Sequence, residues 1–224
     1  MAMKTQEANL KLDWCNYKMA KYAVQNWHYS KSMPTPPHNL IGVWEYNKFI
    51  GVVIFSRGAT NNIGKPYNLK QSEVCELTRV ALSKHTTPVT RIVSIAIKIL
   101  KRHNPGIKLI ISFADQNQNH KGTIYKAGNW LRAGETAKSF IYIDKNGKRF
   151  HPRQVSPSGY KKQYGNYRTV PKPSQLETLP QLPKYRFLYI LDNSLRVELE
   201  SKALDYQSKE SGAVPTNTHH KGFL

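Results

Sequence analysis

Apolar residues recur along this chain with two periods, and each period predicts a kind of element. A period near 3.6, typical of a helix with one buried face, runs from Cys15 to Trp27 and again after Pro88. Short apolar runs bounded by turn residues such as Asn146-Gly147 predict strands. The predicted strands are residues 40–46, 49–56, 73–82, 107–114, 129–133, 139–144, 149–155 and 185–191. The predicted helices are residues 13–27 with Asp13 as cap, 86–102, a short helix carrying Tyr125, and 194–206.

The composition of the chain changes after Val155. Residues 145–172 contain eight Lys and Arg and no acid, interleaved with Tyr160, Tyr164 and Tyr167, and a Pro-rich connector follows. We therefore predict an α/β catalytic domain over residues 1–155. Residues 156–224 are predicted to form a basic, Tyr/Pro-rich extension that is only partly ordered and loose over its last thirty or so residues.

The charge of the chain predicts a polyanionic partner. The 34 Lys and Arg residues against 14 Asp and Glu residues give a formal net charge of +20, which attracts nucleic acid and raises encounter rates with it. A merely basic surface, or binding to a membrane surface, is the alternative. Cys15 and Cys75 lie in apolar stretches, which is typical of buried thiols in a reducing compartment. Because the sequence shows no signal peptide, no spanning apolar run and no metal-type Cys/His spacing, we expect a cytoplasmic protein without an evident metal.

The densest candidate chemistry lies in residues 112–130. The apolar strand predicted there ends in Asp115, and after a polar loop the short helix with Tyr125 is closed by Gly128. In open α/β sheets, groups at the carboxyl ends of strands face the ligand crevice. We therefore expect Asp115 and Tyr125 to take part in chemistry.

Three stretches of this chain resemble the Mom family of phage DNA adenine-modification proteins, within the GNAT-like acyltransferases. They are Trp27-His-Tyr-Ser-Lys-Ser-Met-Pro34, Glu73-Val-Cys-Glu-Leu-Thr-Arg-Val-Ala-Leu82 and residues 112–130, and the resemblance covers about residues 9–153. It implies a GNAT-like fold, with a central mixed, mostly antiparallel sheet flanked by helices. It also implies a transferase that puts a carbamoylmethyl group on the exocyclic amine of adenine in phage DNA, inside the host cytoplasm, and shields that DNA from restriction.

The expected acyl-donor turn departs from the acetyltransferase pattern. Acetyltransferases of the GNAT family carry Arg/Gln-x-x-Gly-x-Gly/Ala before the helix that receives the pyrophosphate of coenzyme A. Residues 86–96 contain no glycine, although a helix N-terminus still offers N–H groups to an anion. Together with the charge of +20, this favours glycyl-tRNA as the donor, with acetyl-coenzyme A as the alternative.

Six residues are candidates for the catalytic site, and each also has a structural interpretation. Strict alternation would put Arg79 on an apolar strand face, so either a bulge re-aims it or it faces a cleft; a salt bridge with Glu76 or Asp115 is the alternative. Asp115 could accept a proton or hold the base edge, or it could be a cap. Tyr125 could donate to a leaving group, stack on a base or simply pack. His28 and Tyr29 end the first helix, and Ser112 lies on the strand leading to Asp115. We expect the acid, the guanidinium and the phenol to share one cleft.

Candidates for nucleic-acid contact are the cations of the loops and of the extension. An adenine amine inside a duplex must be flipped out before it can react, so we expect double-stranded DNA as a partner and aromatic platforms such as Tyr29 and Tyr67. The candidate phosphate contacts are Arg57, Lys65, Lys121, Arg149, Arg153, Lys161, Lys162 and Arg168. Two other functions stay open: an acetyl-coenzyme A-dependent enzyme for another substrate, and a DNA-binding protein without catalysis.

Overall fold

The computed structural model describes residues 9–211 except Thr35, Pro37 and Tyr164. The helices within them are α1 (Tyr17–Trp27), α2 (Val89–His103), α3 (Thr123–Ala127) and α4 (Arg196–Ser211). The strands are β1 (Leu10–Trp14), β2 (His38–Glu45), β3 (Lys48–Ser56), β4 (Val74–Leu82), β5 (Leu109–Asp115), β6 (Leu131–Glu135), β7 (Ser139–Ile143), β8 (Arg149–Phe150), β9 (Tyr160–Gln163), β10 (Asn166–Thr169), β11 (Glu177–Gln181) and β12 (Lys184–Ile190).

Seven of these strands form the main sheet in the order β1-β2-β3-β4-β5-β12-β6. Strands β1 to β4 pair antiparallel, whereas β4 and β5 are parallel. A parallel pair needs a long crossover, and α2 supplies it. Helix α1 buries Ala20, Ala23 and Val24 against Val52 and Ile54 of β3 and Ala81 of β4. The predicted mixed α/β sheet with flanking helices is confirmed.

The remaining strands form two small sheets, β11-β7-β8 and β10-β9. By its contacts the described chain divides into two units. The first unit runs up to Ala114 and includes Gly122–Gly134 and the chain from Arg186 onward; the second unit consists of Asp115–Lys121 and Glu135–Tyr185. The predicted boundary near residue 155 stays a prediction.

The start of the first helix differs from the prediction. Asp13 lies in β1, opposite Gly42 of β2, and the cap is Asn16, whose Oδ1 accepts from the Met19 N–H at 2.9 Å. Pairing with a neighbouring strand has therefore overridden the local capping preference of Asp13. Strand β1 itself was not predicted: its sequence Leu-Lys-Leu-Asp-Trp alternates apolar and polar residues, but it is only five residues long, and Asp13 was assigned to the helix as its cap.

Two further boundaries were set by proline. Pro88 is the N-cap of α2, so the helix begins at Val89 rather than at the preceding threonines. The strand predicted over residues 149–155 stops at Phe150, and Pro152–Gln154 form a 3-10 turn, since proline supplies no N–H for a sheet ladder. The predicted β2–β3 hairpin, the short Tyr125 helix and the late strand β12 are present.

Candidate active site

Strands β4 and β5 pair over only part of their length. The register runs from Val74 opposite Leu109 to Glu76 opposite Ile111, although both strands continue well beyond. On the other side of β4, Phe55 pairs with Leu77 and Ile54 with Arg79, so the register shifts there and Thr78 is the extra residue of a bulge. The bulge anticipated for Arg79 is present, next to the point where β4 and β5 stop pairing. A bulge re-aims side chains, and this one does so beside an unpaired strand segment.

A pair of hydroxyls lies where the β4–β5 ladder has ended. The Oγ of Ser112, which is fully buried, lies 2.8 Å from the carbonyl oxygen of Leu77 and 2.7 Å from the Oη of Tyr125. A carbonyl can only accept, so the single hydrogen of Ser112 points to Leu77, and Tyr125 then donates to Ser112. Burial raises the pKa of Tyr125 to about 12. Tyr125 therefore carries its proton at neutral pH and holds it in a fixed direction.

Tight packing fixes the ring of Tyr125. It stacks on Phe187 at a centroid distance of 4.9 Å and meets Trp130 edge-on at 5.1 Å. The approach of α3 to Phe187 depends on Gly122, which has φ +73°, and a Cβ there would lie 2.2 Å from the Phe187 ring. Glycine at this position therefore permits both the left-handed backbone and the close contact.

Arg79 is anchored by backbone carbonyls close to a tyrosine and an acid. Its Nε donates to Ser32 at 3.2 Å and its Nη1 donates to Thr78 at 2.7 Å. Burial lowers the pKa of Arg79, and the charges of Tyr29 and Glu76 act against that effect. Tyr29 and Glu76 also raise the pKa of Tyr125. Tyr29 and Glu76 therefore act electrostatically on both Arg79 and Tyr125.

His28 and Tyr29 sit directly after α1. Their rings are 4.4 Å apart, His28 is 8% exposed and Tyr29 is 45% exposed. The Ser30 N–H donates to Nδ1 of His28 at 3.1 Å, so a neutral His28 carries its hydrogen on Nε2. Lys31 follows with a positive φ of 51°, a conformation uncommon outside glycine and found where a loop is tightly constrained.

Asp115 is a buried ion-pair partner in the second unit. One oxygen accepts from the backbone and side-chain nitrogens of Asn117, both at 3.0 Å, and the other lies 3.1 Å from the Nζ of Lys184. Burial alone would raise the pKa of Asp115, but the bonds from Asn117 and the charge of Lys184 lower it below the ordinary value. The carboxylate is thus ionised and held in place, and the capping role allowed by the sequence is present.

The structure groups five of the six predicted catalytic residues in the first unit: Arg79, Tyr125, Ser112, His28 and Tyr29. Asp115 belongs to the second unit with Asn117 and Lys184, so the expectation of one shared cleft stays a prediction. Sequence reasoning named Glu76 only as an ion-pair partner of Arg79 and missed Lys184. No spacing signal could connect Lys184 to Asp115, because strand order alone brings them together.

The predicted phosphate contacts divide between the units. Arg57 and Lys65 belong to the first unit, and the others to the second: Lys121, Arg149, Arg153, Lys161, Lys162 and Arg168. All are exposed except Arg57 and Lys161, which are half-buried. Tyr67, an expected stacking platform, is only 8% exposed, and it packs in the core with Leu69 and Val74. Tyr67 is therefore not available to a nucleobase.

A cavity of about 340 Å³ lies between α2 and α3 in the first unit. The polar residues that line it include Thr90, Arg91, Ser94 and Asn129, and its aromatic residues are Trp130 and Tyr189. Trp130 also contacts the ring of Tyr125. A residue that lines the cavity is therefore in contact with one member of the Tyr125–Ser112 hydroxyl pair. A volume of this size is at the lower end of small-molecule sites.

The turn before α2 does not fit a coenzyme A pyrophosphate. Its N–H groups at Thr86 and Thr87 donate to the Glu45 carboxylate, with shortest distances of 2.9 and 2.6 Å, and Pro88 has no N–H. Burial would raise the pKa of Glu45, but the hydrogen bonds from Thr87 and Thr86 lower it to about 2. The internal carboxylate of Glu45 therefore occupies the N–H groups of Thr86 and Thr87, which leaves them unavailable to a pyrophosphate.

The described part of the chain contains no group of three or more His, Cys, Asp or Glu side chains placed to hold a metal ion. No helix in it is both long and apolar enough to cross a membrane.

Comparisons with known proteins give a family and a set of structural likenesses. The chain is 23% identical over 202 residues to the methylcarbamoylase Mom of Escherichia phage Mu, covering 88% of this chain and 82% of that protein. Its structure resembles a Bacillus subtilis acetyltransferase solved with CoA (TM-score 0.46, 12% identity, 83% of this chain and 99% of the other). It also resembles an IAA acetyltransferase from Bacillus cereus (TM-score 0.45, 9% identity, 81% and 99%).

The model of the Mom protein family matches residues 9–208. That span is nearly the whole described chain, and it extends past residue 153, where the resemblance of the sequence motifs ended. The chain therefore belongs to the Mom protein family, as its sequence predicted.

Proposed function

We propose that this protein is a phage DNA-modifying transferase that places a carbamoylmethyl group on the exocyclic amine of adenine. The observation that carries the proposal is the Tyr125–Ser112 hydroxyl pair, with Arg79 beside the bulge of strand β4, in a member of the Mom family. The modification protects phage DNA from host restriction enzymes.

The acceptor in this proposal is an adenine extruded from duplex DNA. Its amine is a weak nucleophile because the lone pair is delocalised into the ring, and inside the stack it is out of reach. Asp115 is ionised and held by Lys184, so it is suited to hold the base edge by accepting a hydrogen bond from the amine. Because its lowered pKa makes Asp115 a weaker base, complete removal of a proton from the amine is its less important role.

The first chemical step is acylation of that amine by an activated glycyl ester. The amine nitrogen attacks the ester carbonyl, an N–C bond forms, and the ester C–O bond breaks. Tyr125, which is protonated, turns its hydrogen from Ser112 to the departing alkoxide oxygen and takes up the proton that the attacking amine loses, so that the alkoxide leaves as an alcohol and the tyrosine is restored. Arg79 stabilises the negative oxygen of the tetrahedral intermediate.

A rearrangement then converts the acyl product into the alkylated base. The free amine of the glycyl group attacks the ring carbon that bears the acylated nitrogen, which gives a five-membered spiro intermediate. Collapse breaks the original bond between ring carbon and nitrogen. The ring is left attached to the glycyl nitrogen, and the original amine becomes the terminal amide, so the product is a carbamoylmethyl group on nitrogen.

Glycyl-tRNA is the proposed donor, with acetyl-coenzyme A as the alternative. The occupied amides at Thr86 and Thr87 disfavour a coenzyme A pyrophosphate, while the net charge of +20 suits two nucleic acids. We propose that the cavity beside α2 receives the terminal nucleoside of the donor, since polar residues and the aromatic residues Trp130 and Tyr189 line it together.

Nucleoside mass spectrometry of plasmid DNA tests the proposal. Cells expressing the wild type should yield a carbamoylmethyl adenosine, and cells expressing Arg79→Ala or Asp115→Ala should yield at least about a hundred-fold less. Arg102→Ala and Asp205→Ala, both at exposed positions, are the matched controls and should leave the product unchanged. Unmodified DNA from wild-type cells would contradict the proposal, and an unchanged product with Arg79→Ala would remove Arg79 from the mechanism.

Isotopic labelling tests the donor route separately. Adenine labelled with ¹⁵N at the exocyclic amine should give a product whose label is in the terminal amide. A label that stays bonded to the ring would exclude the rearrangement and favour direct alkylation.

A further inference from the structure

Strands β9 and β10 form a two-stranded ribbon in the second unit. Tyr160 pairs with Thr169, Lys161 with Arg168, and Lys162 with Tyr167. Its base is fixed by a hydrogen bond of 2.8 Å from the Val170 N–H to the Gly159 carbonyl, and Val170 itself is buried. At its tip, Gly165 has φ +83°, and a Cβ there would meet no described atom within 4 Å. Among the described residues, the tip thus stands in open space.

The two faces of the ribbon differ in chemistry. Cross-strand partners share a face and successive residues alternate, so Tyr160, Lys162, Tyr167 and Thr169 are on one side. Tyr160 is 57% exposed and Tyr167 is 73% exposed, and the Nζ of Lys162 lies 6.0 Å from the centroid of the Tyr167 ring. Two exposed aromatic rings on one narrow face are unusual for a surface that only meets water.

The opposite face of the ribbon is cationic. It carries the directly opposed pair Lys161 and Arg168, and the Nζ of Lys161 also donates to the Arg153 carbonyl. Burial, together with the charges of Arg153, Lys184 and Lys161, lowers the pKa of nearby His151, which fits a positive local potential. Since residues 145–172 contain no acid, a phosphate is the counter-charge that this face can accept.

We propose that the β9–β10 ribbon binds locally opened DNA, with the tyrosine face stacked on unpaired bases and Lys161 and Arg168 on the phosphates. This rests on the proposed function, because an extruded adenine leaves unstacked bases behind. Base stacking on aromatic rings tolerates any sequence. DNA is favoured over RNA because the extruded adenine of the proposed reaction belongs to DNA, which leaves the unpaired bases in that strand and its partner.

Fluorescence anisotropy with the full-length protein tests the ribbon. The probes are a perfect duplex, the same duplex with an abasic site opposite one adenine, and the matching glycine-accepting tRNA. The wild type should prefer the opened duplex. The double variant Tyr160→Ala/Tyr167→Ala should lose about tenfold or more in affinity for it, with the salt dependence unchanged, and Tyr160→Phe/Tyr167→Phe should restore binding.

The cationic face has a different signature. Lys161→Gln/Arg168→Gln should weaken binding to both duplexes alike and reduce the log–log salt slope by roughly 2, at about 0.9 per phosphate contact. The control pair is Tyr22→Ala/Tyr46→Ala, which removes tyrosines that are 55% and 54% exposed in the first unit and should change neither quantity.

Two results would overturn the ribbon proposal. In one, the tyrosine variant keeps the wild-type preference for the opened duplex. In the other, it loses affinity for tRNA while its DNA binding stays intact, which would make the ribbon an RNA-binding element. Both are distinguishable from failure of the proposed function, since wild-type protein would still produce modified adenosine in cells.

Discussion

At the scale of single residues, Tyr125 is the side chain whose chemistry is best defined. Tyr125→Phe keeps the ring between Phe187 and Trp130 and removes only the hydroxyl that donates to Ser112. Stability should fall by about 0.5–1.5 kcal/mol, the usual net value of one hydrogen bond. The modified adenosine should fall by roughly 10²-fold or more if Tyr125 is the proton donor. Undiminished product, measured by nucleoside mass spectrometry beside a urea unfolding curve, would assign Tyr125 to packing alone.

Glu45 gives the clearest pH dependence of stability. Hydrogen bonds from Thr87 and Thr86 overcome the effect of burial and lower the pKa of Glu45 to about 2, below the value of about 4.3 for an unfolded chain. Its stabilising contribution is therefore complete above pH ~4.3 and is lost as the pH falls toward ~2. Urea midpoints should drop across that window in the wild type and much less in Glu45→Gln. A control with the exposed Glu177→Gln should follow the wild type, and an identical acid profile for Glu45→Gln would contradict the assignment.

Residue types alone predicted part of this site, and three-dimensional pairing supplied the rest. Arg79 stood out because a charge on an apolar strand needs a bulge or a partner, and the bulge at Thr78 is there. Glu45 gave no such signal, since the amides it binds lie 41 and 42 positions away. Lys184 gave no signal in the sequence either. Residues that come together only through the order of strands in a sheet produce no periodic pattern along the chain.

At the scale of elements, α3 depends on one glycine. Gly122→Ala would strain a φ of +73° and push a Cβ into the Phe187 ring. We expect the free energy of unfolding to fall by about 1–3 kcal/mol because of overpacking and by a further amount of about 1–2 kcal/mol because of backbone strain. The modified adenosine should also decrease, because the Tyr125 ring shifts. The matched control is Gly147→Ala, because Gly147 has φ +78° but open space around it. If the two variants had equal free energies of unfolding in urea, the clash of the new Cβ with Phe187 would contribute no destabilisation, which would contradict this prediction.

Elements with strong periodicity were predictable, and short edge strands were not. The β2–β3 hairpin, α2 and β12 follow from continuous apolar patterns. Strands β1, β9, β10 and β11 are four or five residues long. Strands β9 and β10 consist mostly of polar residues and tyrosines, so their sequences show no alternation of apolar and polar positions. Their order is fixed by hydrogen bonds to neighbours rather than by burial.

At the scale of the whole molecule, net charge makes salt the simplest test of the partner. With 34 cationic and 14 acidic side chains, binding to a short duplex through roughly 6–10 phosphates should weaken by about 10³- to 10⁵-fold between about 50 and 200 mM salt. The same titration with the charge-neutral dye-labelled nucleoside should show no such change. A flat salt response for duplex DNA would favour a transferase that acts on a substrate other than nucleic acid.

Strand β12 has a genetic consequence. It lies between β5 and the edge strand β6 of the main sheet, it provides the ring under Tyr125, and its first residue neutralises Asp115. A premature stop codon anywhere between residues 156 and 183 would therefore split the sheet and leave the upstream fragment without an intact core. Shortened versions of this gene should behave as complete knockouts rather than as weakened alleles, and no self-sufficient half of the enzyme should be recoverable by truncation from the carboxyl end.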